Sequence, residues 1–395
     1  MHVLFFTYDT IIPSDSGGKA RAYNLIKNAK KDSRVSLFSF MREGYDLANL
    51  EKIRELGIDR VEVFPRSKKS SFKSLRGLFL GKESVFKSLY YDKKIAKILF
   101  EYVQKEKVDL IHFESFYTGF YLDQGLRDLG VRQVYGSENI EYLLYKDSLK
   151  SLNPVYKKIA ASQVKKIENE EIEMARNSDA MLAVTEKERK YFASFSDNTF
   201  VVPNGVDSKD FPLIARKKKD KLSLLFIGNF KYFPNLDGLK FFIKEVWPRL
   251  NKENFSLTLL GRDVNSLDFI NDDSVKKIDY AAKLDEVYNN ADIFISPLRF
   301  GGGTNFKVLE AMSTGLPVVA LRDRAEGLNA KNDQELLIAS GADDFVKSIE
   351  KLSQDADFRE RIGKNASKFV KENYSWKEIG ENLYNIWYDL VDEKS

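Results

Sequence analysis

What most restricts the fold of this chain is an alternation that runs almost from end to end, in which short β-rich apolar runs are separated by helical patterns. "HVLFFTY" leads into a helix around Ala20 to Lys31. "RVSLFSF", "RVEVFP", "DLIHFES" and "RQVYGS" follow, and "AMLAVT" and "TFVVPN" close the first half. Such spacing marks βαβ units and a parallel sheet wound on both faces. Turn chemistry at Pro203-Asn204-Gly205-Val206-Asp207, with the polar stretch Ala215 to Lys221 soon after, interrupts the pattern. A second alternation then runs through "LSLLFIGNF", "FSLTLLGRD", "KKIDY", "ADIFISPL" and "LPVVAL". The expectation is an α/β chain of two doubly wound domains, 1–204 and 205–375. Residues 376–395 form a last helix, with Ile379, Leu383, Ile386, Trp387 and Leu390 at helical spacing, packing back toward the first domain.

Length and composition agree with this and remove several functions. A chain of 395 residues is long enough for two separate cores. No apolar run reaches the roughly 18 residues of a spanning helix, and the apolar N-terminus lacks a basic leader and reads as a strand. There is no cysteine, and the only histidines are His2 and His112, so thiolate and histidine-rich metal centres are ruled out. A carboxylate-bound divalent ion stays open, although no dense acidic cluster calls for one, and no other cofactor is expected. A net charge of +4 is too near balance to argue for nucleic acid. The expected location is cytoplasmic. Arg66 to Lys94 mixes lysines and arginines with Phe72, Leu75, Leu78, Phe79, Leu80, Phe86, Leu89, Tyr90 and Tyr91. That mixture suits the anionic surface of a membrane, and equally a solvated linker followed by an amphipathic helix. The charged stretch from Ile140 to Arg176 reads as an exposed helix supported by pairs such as Lys166 with Glu170.

Three loops carry the candidate chemistry. After the first strand, Gly17 and Gly18 open a helix, with Ser16 as a cap and Arg21 on the first turn. Free backbone N–H groups there would face a ligand, although a Gly-Gly turn alone is often only a turn. The spacing is not that of the dinucleotide fingerprint, and no Walker A sequence occurs. In the second domain a buried strand ends at Gly228, with Asn229, Lys231 and Asn235 beyond it. Crevices at the carboxyl ends of parallel strands take ligands, so two such domains imply a site in a cleft between them. The third loop is "RFGGGTNFKVLEAM". Gly301, Gly302 and Gly303 precede Thr304 as an N-cap, and Lys307 and Glu310 share one face of the following helix. A lysine at a helix N-terminus suits a diphosphate, and a nearby carboxylate suits sugar hydroxyls. The alternative, a surface ion pair, leaves three glycines in a row unexplained, at a cost of about 0.5–1 kcal/mol each.

These residues are where a family likeness enters. "ADIFISPLRFGGGTNFKVLEAMSTGLPVV", "FIGNFKYFPNLDGLKFF" and "AEGL" at Ala325 to Leu328 resemble the GT-B glycosyltransferases of family four, in their bacterial surface-polysaccharide subgroup. The resemblance runs over essentially the whole chain. It implies two Rossmann-like domains, an acceptor site mainly in the first and a nucleotide-sugar donor site mainly in the second. It further implies retention at the sugar carbon and no required metal. Carried over residue by residue, Glu310 binds the nucleotide ribose, and Lys307 and Thr304 meet the diphosphate or sugar. Gly17 and Gly18 approach from the other side. Asn204, Gly228, Asn229, Gly302 and Gly303 complete the expected donor set, and Arg21 and Asn139 the acceptor set.

The chain departs from the family in three places. The first of two glutamates common in the family falls on Gly302, as is usual in the subgroup. The Arg and Lys that hold the diphosphate elsewhere fall near Asn229 and Asn235, which shifts that burden to Lys307. In "YGSENIEYLLY" the usual His-Asn is Glu138-Asn139. Glu138 is therefore either a catalytic group beside the reacting sugar or a carboxylate outside it. The expected function is transfer of a sugar from a nucleotide diphosphate to the hydroxyl of a glycan or lipid-linked acceptor. A nucleotide-sugar 2-epimerase of the same architecture and a binding-only subunit are the alternatives.

Overall fold

The computed structural model describes residues 1–31, 33–66, 82–149, 154–216, 219–300 and 304–392. Two compact units emerge, one of Met1–Pro203 with Trp376–Ser395 and one of Asn204–Ser375. In the first, seven parallel strands run in the order β3-β2-β1-β4-β5-β6-β7. They are β1 (His2–Thr7), β2 (Arg34–Met41), β3 (Arg60–Pro65), β4 (Leu110–Glu114), β5 (Arg132–Gly136), β6 (Ala180–Ala183) and β7 (Thr199–Val201). Val3, Leu4, Phe5 and Phe6 of β1 are all fully buried, because helices cover both faces of a central parallel strand.

The Trp376–Asp392 helix belongs to this same unit and lies along the Gly17–Ala29 helix. Gly380 makes the approach close, since a Cβ there would overlap Asn28. Trp387 is fully buried and stands edge-on to Phe5 and to His112, at 5.6 and 5.7 Å between ring centroids. The periodic apolar positions of this helix thus complete the first core.

The second unit holds six parallel strands in the order β10-β9-β8-β11-β12-β13. They are β8 (Leu222–Ile227), β9 (Phe255–Leu260), β10 (Val275–Ile278), β11 (Ile293–Ser296), β12 (Val318–Leu321) and β13 (Leu337–Ala339). β13 has no counterpart in the sequence reading. The carboxyl ends of β8 and β9 meet at two glycines. Gly261 has φ +136°, and a Cβ on it would run into the backbone carbonyl of Gly228. Gly261→Ala is therefore expected to destabilise the second unit by about 2–4 kcal/mol in chemical denaturation. Gly341→Ala, in extended backbone with nothing near its Cβ, is the control and should stay within about 0.5 kcal/mol. Equal effects at the two positions would remove the steric argument.

The long charged helix differs from its reading as a solvated rod. It spans Pro154–Arg176, and Gln163, Glu170 and Glu171 are buried. Glu170 and Gln163 accept the backbone N–H groups of Ser84 and Val85, at the start of the Val85–Tyr90 helix. Glu171 accepts those of Glu141 and Tyr142, opening the Glu141–Ser148 helix. Its polar side chains cap two neighbouring helices, using the unsatisfied donors that every helix start presents.

Candidate functional site

In the first unit the candidate residues gather at the carboxyl ends of β1, β4 and β5. Ser16 stands at the N-cap of the Gly17–Ala29 helix but makes no side-chain cap bond. Arg21, expected to face an acceptor, is turned inward and only 1% exposed. Its Nε donates to Glu114 at 2.7 Å and its Nη1 to the carbonyl of Pro203 at 3.1 Å. His112 lies 2.7 Å from the other Glu114 oxygen and stacks on Phe5. Gly136, at the end of β5, leaves room for that pair, since a Cβ would sit 2.5 Å from Glu114. Burial pushes the Glu114 carboxyl up, but the charge of Arg21 and the hydrogen bond from His112 outweigh it and hold it at about 2. The next residue, Ser115, is buried at φ +100°, a conformation that bulky residues avoid.

Glu138 faces the other sequence-derived feature of this unit. A Cβ on Gly18 would lie 2.6 and 2.7 Å from the two Glu138 carboxyl oxygens and 2.5 Å from the Tyr8 hydroxyl. Gly18 is thus a place where close approach requires glycine, and what approaches is Glu138. Burial, then repulsion by Glu114, push the Glu138 carboxyl up to about 8, with Arg21 opposing. On either side of Glu138 in the chain, Ser137 Oγ donates to the backbone carbonyl of Asn139.

In the second unit Asn204, Thr304, Lys307, Glu310 and Tyr288 form one set. Thr304 is not the N-cap. That place belongs to Asn305, whose Oδ1 accepts the Lys307 N–H, while Thr304 Oγ1 accepts the Asn204 N–H at 3.0 Å. The Asn204 side chain in turn donates to the Thr304 carbonyl at 2.9 Å, so Asn204 fixes the exit of the glycine loop. The entrance is fixed as well. Arg299 makes two bonds to Asp237, at 2.7 and 2.9 Å, and Phe300 stacks on Phe233. Gly302 and Gly303 lie outside the described residues.

Lys307 and Glu310, three apart on the Phe306–Ser313 helix, do not form an ion pair. Glu310 instead accepts a 2.6 Å bond from Tyr288, which is wholly buried. Burial pushes the Glu310 carboxyl up to about 7, against the Tyr288 bond and the Lys307 charge. The half-buried Lys307 ammonium has no hydrogen bond or ion pair among the described residues, and burial pulls its pKa down. A cation in that condition is poised for an anion. Gly228 is buried against Asn235, and Asn235 donates to the Asn229 carbonyl, closing the loop on itself. Asn229 is exposed and accepts the Lys231 N–H.

Residues 29–210 match the family described as Glycosyltransferase Family 4, and residues 221–355 the one described as Glycosyl transferases group 1. The chain belongs to these glycosyltransferases. The glycosyltransferase is 25% identical over 304 residues to a Klebsiella pneumoniae "uncharacterized 44.6 kDa protein in cps region", covering 71% of this chain and 74% of that one. It is 22% identical over 333 residues to the Escherichia coli UDP-Gal:alpha-D-GlcNAc-diphosphoundecaprenol alpha-1,3-galactosyltransferase, covering 78% and 82% of the two chains. Anabaena HepE, solved in complex with UDP, superposes with a TM-score of 0.68 over 98% of this chain and 100% of that one, at 14% identity. Likeness at that identity concerns the fold, which is GT-B.

Four residues of the two sites escaped the sequence reading. His112 and Glu114 are two apart in an otherwise apolar strand, hence on one face, and that polar pair was the available signal. Tyr8 follows β1 directly. Nothing local marks Tyr288, which lies 22 residues before Glu310.

Proposed function

We propose that this glycosyltransferase takes a nucleotide diphosphate sugar and passes the sugar, with retention, to the hydroxyl of a glycan or lipid-linked acceptor in cell-surface polysaccharide synthesis. The observation that carries the proposal is Lys307, a half-buried ammonium without a partner among the described residues, one turn from a carboxyl held by a buried tyrosine. In this reading Lys307 and the N-terminus of its helix take the diphosphate, and Glu310, oriented by Tyr288, takes the ribose hydroxyls. No metal is assigned a role. The names of two similar proteins support the donor and acceptor classes: HepE binds UDP, and the Escherichia coli enzyme uses UDP-Gal and a diphosphoundecaprenol-linked sugar.

The step balances without a protein nucleophile. The bond from the anomeric carbon to the phosphate oxygen breaks, the acceptor oxygen bonds to that carbon on the same face, and the acceptor proton passes to the departing phosphate. The protein's share is orientation and stabilisation of the phosphate charge.

Where on the cell this occurs is part of the proposal, a site at the cytoplasmic face of the membrane. No helix among the described residues is long and apolar enough to cross a bilayer. Of the basic, aromatic stretch that suits a membrane surface and equally a linker followed by an amphipathic helix, Phe86, Leu89, Tyr90 and Tyr91 pack against the first core, with Arg66 over the Tyr90 ring. Residues 67–81 lie outside the described residues.

The test is a panel of nucleotide sugars, read by thermal shift and by transfer to lipid diphosphate-linked sugars. A donor at about 100 times its Kd should add roughly 2.7 kcal/mol of stability, and Glu310→Ala should remove most of that gain. Absence of any nucleotide-dependent shift together with absence of transfer would overturn the reading, and an inverted nucleotide sugar as product would replace it with epimerisation.

A further inference from the structure

Arg216 lies in the polar run Ala215 to Lys221, which leads into β8. Its guanidinium is turned inward. Nη1 donates to the carbonyls of Tyr288, Asn289 and Ala291 at 3.0, 3.4 and 2.9 Å. Nη2 donates to the Thr314 carbonyl at 3.2 Å and to Thr314 Oγ1 at 3.1 Å. The carbonyls belong to the C-terminal ends of two helices, Leu284–Asn290 and Phe306–Ser313, where a helix leaves its last acceptors unsatisfied. A cation there also suits both helix dipoles. Burial lowers the pKa of Arg216 to about 10, with Asp292 opposing, so the guanidinium is charged at neutral pH.

These two helices carry the groups assigned to the nucleotide. Tyr288, whose carbonyl Arg216 holds, gives its hydroxyl to Glu310 at 2.6 Å. Thr314, fully buried, donates its backbone N–H to the Glu310 carbonyl at 3.1 Å. Hydrogen bonds thus close a ring from Arg216 through Thr314, Glu310 and Tyr288 back to Arg216. The chain just before Arg216 ties down the same ends. Ile214 N–H donates to the Thr314 carbonyl at 3.2 Å, and Ser313 Oγ donates to the Phe211 carbonyl at 2.6 Å. The Phe211 ring stands edge-on to Tyr288, 5.7 Å between centroids.

We propose that Arg216 is a positioning residue for nucleotide binding: by fixing the C-terminal ends of both helices it sets the Tyr288–Glu310 bond, and so aims the Glu310 carboxyl. The inference rests on the reading of Glu310 as the group that takes the ribose hydroxyls, and deepens it. Arg216 acts through Tyr288 and not on the substrate itself. A guanidinium suits this task because its planar fork offers donors in two directions, whereas a lysine ammonium is one compact charge.

The test is a double-mutant cycle on the full chain, read as calorimetric Kd at a temperature where each variant is folded. UDP, GDP, ADP and dTDP are the probes, and the one that wild type binds most tightly is carried through. Arg216→Met is expected to weaken its binding about tenfold, and Tyr288→Phe by a similar factor. In the Tyr288→Phe background, Arg216→Met should cost less than about twofold more, since the bond it would set is already gone. A guanidinium that only holds the fold together would lower the melting temperature and leave the Kd of the folded protein unchanged. An Arg216→Met variant that melts earlier but binds within about twofold of wild type would therefore overturn the proposal. So would a loss of about tenfold that persists in the Tyr288→Phe background, which would separate Arg216 from the Tyr288–Glu310 bond. If Arg216→Met does not fold, Arg216→Lys takes its place in the cycle, with a loss of about fivefold expected and the same two results overturning the idea. If wild type binds none of these nucleotides, the reading of Glu310 falls and takes this inference with it, an outcome distinct from the two above.

Discussion

Arg21→Met is expected to cost the first unit about 3–5 kcal/mol at neutral pH, one of the largest effects of any single replacement in this chain. The reason is what it leaves behind. Glu114 is 1% exposed, and without the guanidinium its negative charge stands buried beside His112 alone. The methionine fills much of the volume, so lost packing contributes little and the uncompensated charge dominates. The sign of the pH dependence follows from the folded-state value of about 2 against an ordinary 4.5. A carboxyl held that low stabilises the fold fully above about pH 4.5, and the contribution fades as pH falls toward 2. The gap between wild type and variant should therefore be widest at pH 6–8 and should narrow on acidification, as Glu114 in the variant takes up its proton. Hydrogen exchange at the β1 and β4 amides measures the loss within the first unit. A difference under about 1 kcal/mol, or one that does not change with pH, would show that the pair is not what ties the Gly17–Ala29 helix to the end of β4.

That pair also marks the border of what the sequence could yield. The strands of both sheets were readable because each is a run of residues whose own environment, buried on two faces, is written into consecutive side chains. Most site residues on the loops were readable for a related reason, since glycines and a basic residue at a helix start have a local geometric meaning. Partnerships were not. Arg21 and Glu114 are separated by 93 positions, Tyr288 and Glu310 by 22, and Asn204 and Thr304 by 100. No periodicity links such residues, because the sheet order brings them together. Threonine next to a helix start usually caps it, which is what the position of Thr304 suggests. The bond from Asn204 won because Asn305, one place later, caps the helix itself. Glu170 and Glu171 looked solvated because charge normally is, and only the helix starts at Ser84 and Glu141 explain their burial.

Lys307→Ala should lower kcat by about 10²–10³, the usual consequence of removing one group that stabilises charge developing in a transition state. The ground-state affinity for the nucleotide should change less, since helix N–H groups and Glu310 remain to hold it. Folding stability separates this role from a structural one. An ammonium that is half-buried and has no hydrogen bond or ion pair among the described residues gives the fold only its attraction to Glu310 and carries a desolvation cost. The alanine variant should accordingly melt at the wild-type temperature or somewhat higher, trading function for stability as replacements in active sites often do. Glu310→Ala would behave differently, because it strands the Tyr288 hydroxyl that now donates at 2.6 Å and should lower the melting temperature as well as nucleotide binding. Lys307→Arg would keep the charge but place a larger, planar group at the helix start, so partial activity is the expected result. If Lys307→Ala instead destabilises the second unit while kcat/KM stays within about threefold of wild type, the lysine is a structural residue, and the diphosphate must be sought among the glycine-loop amides alone.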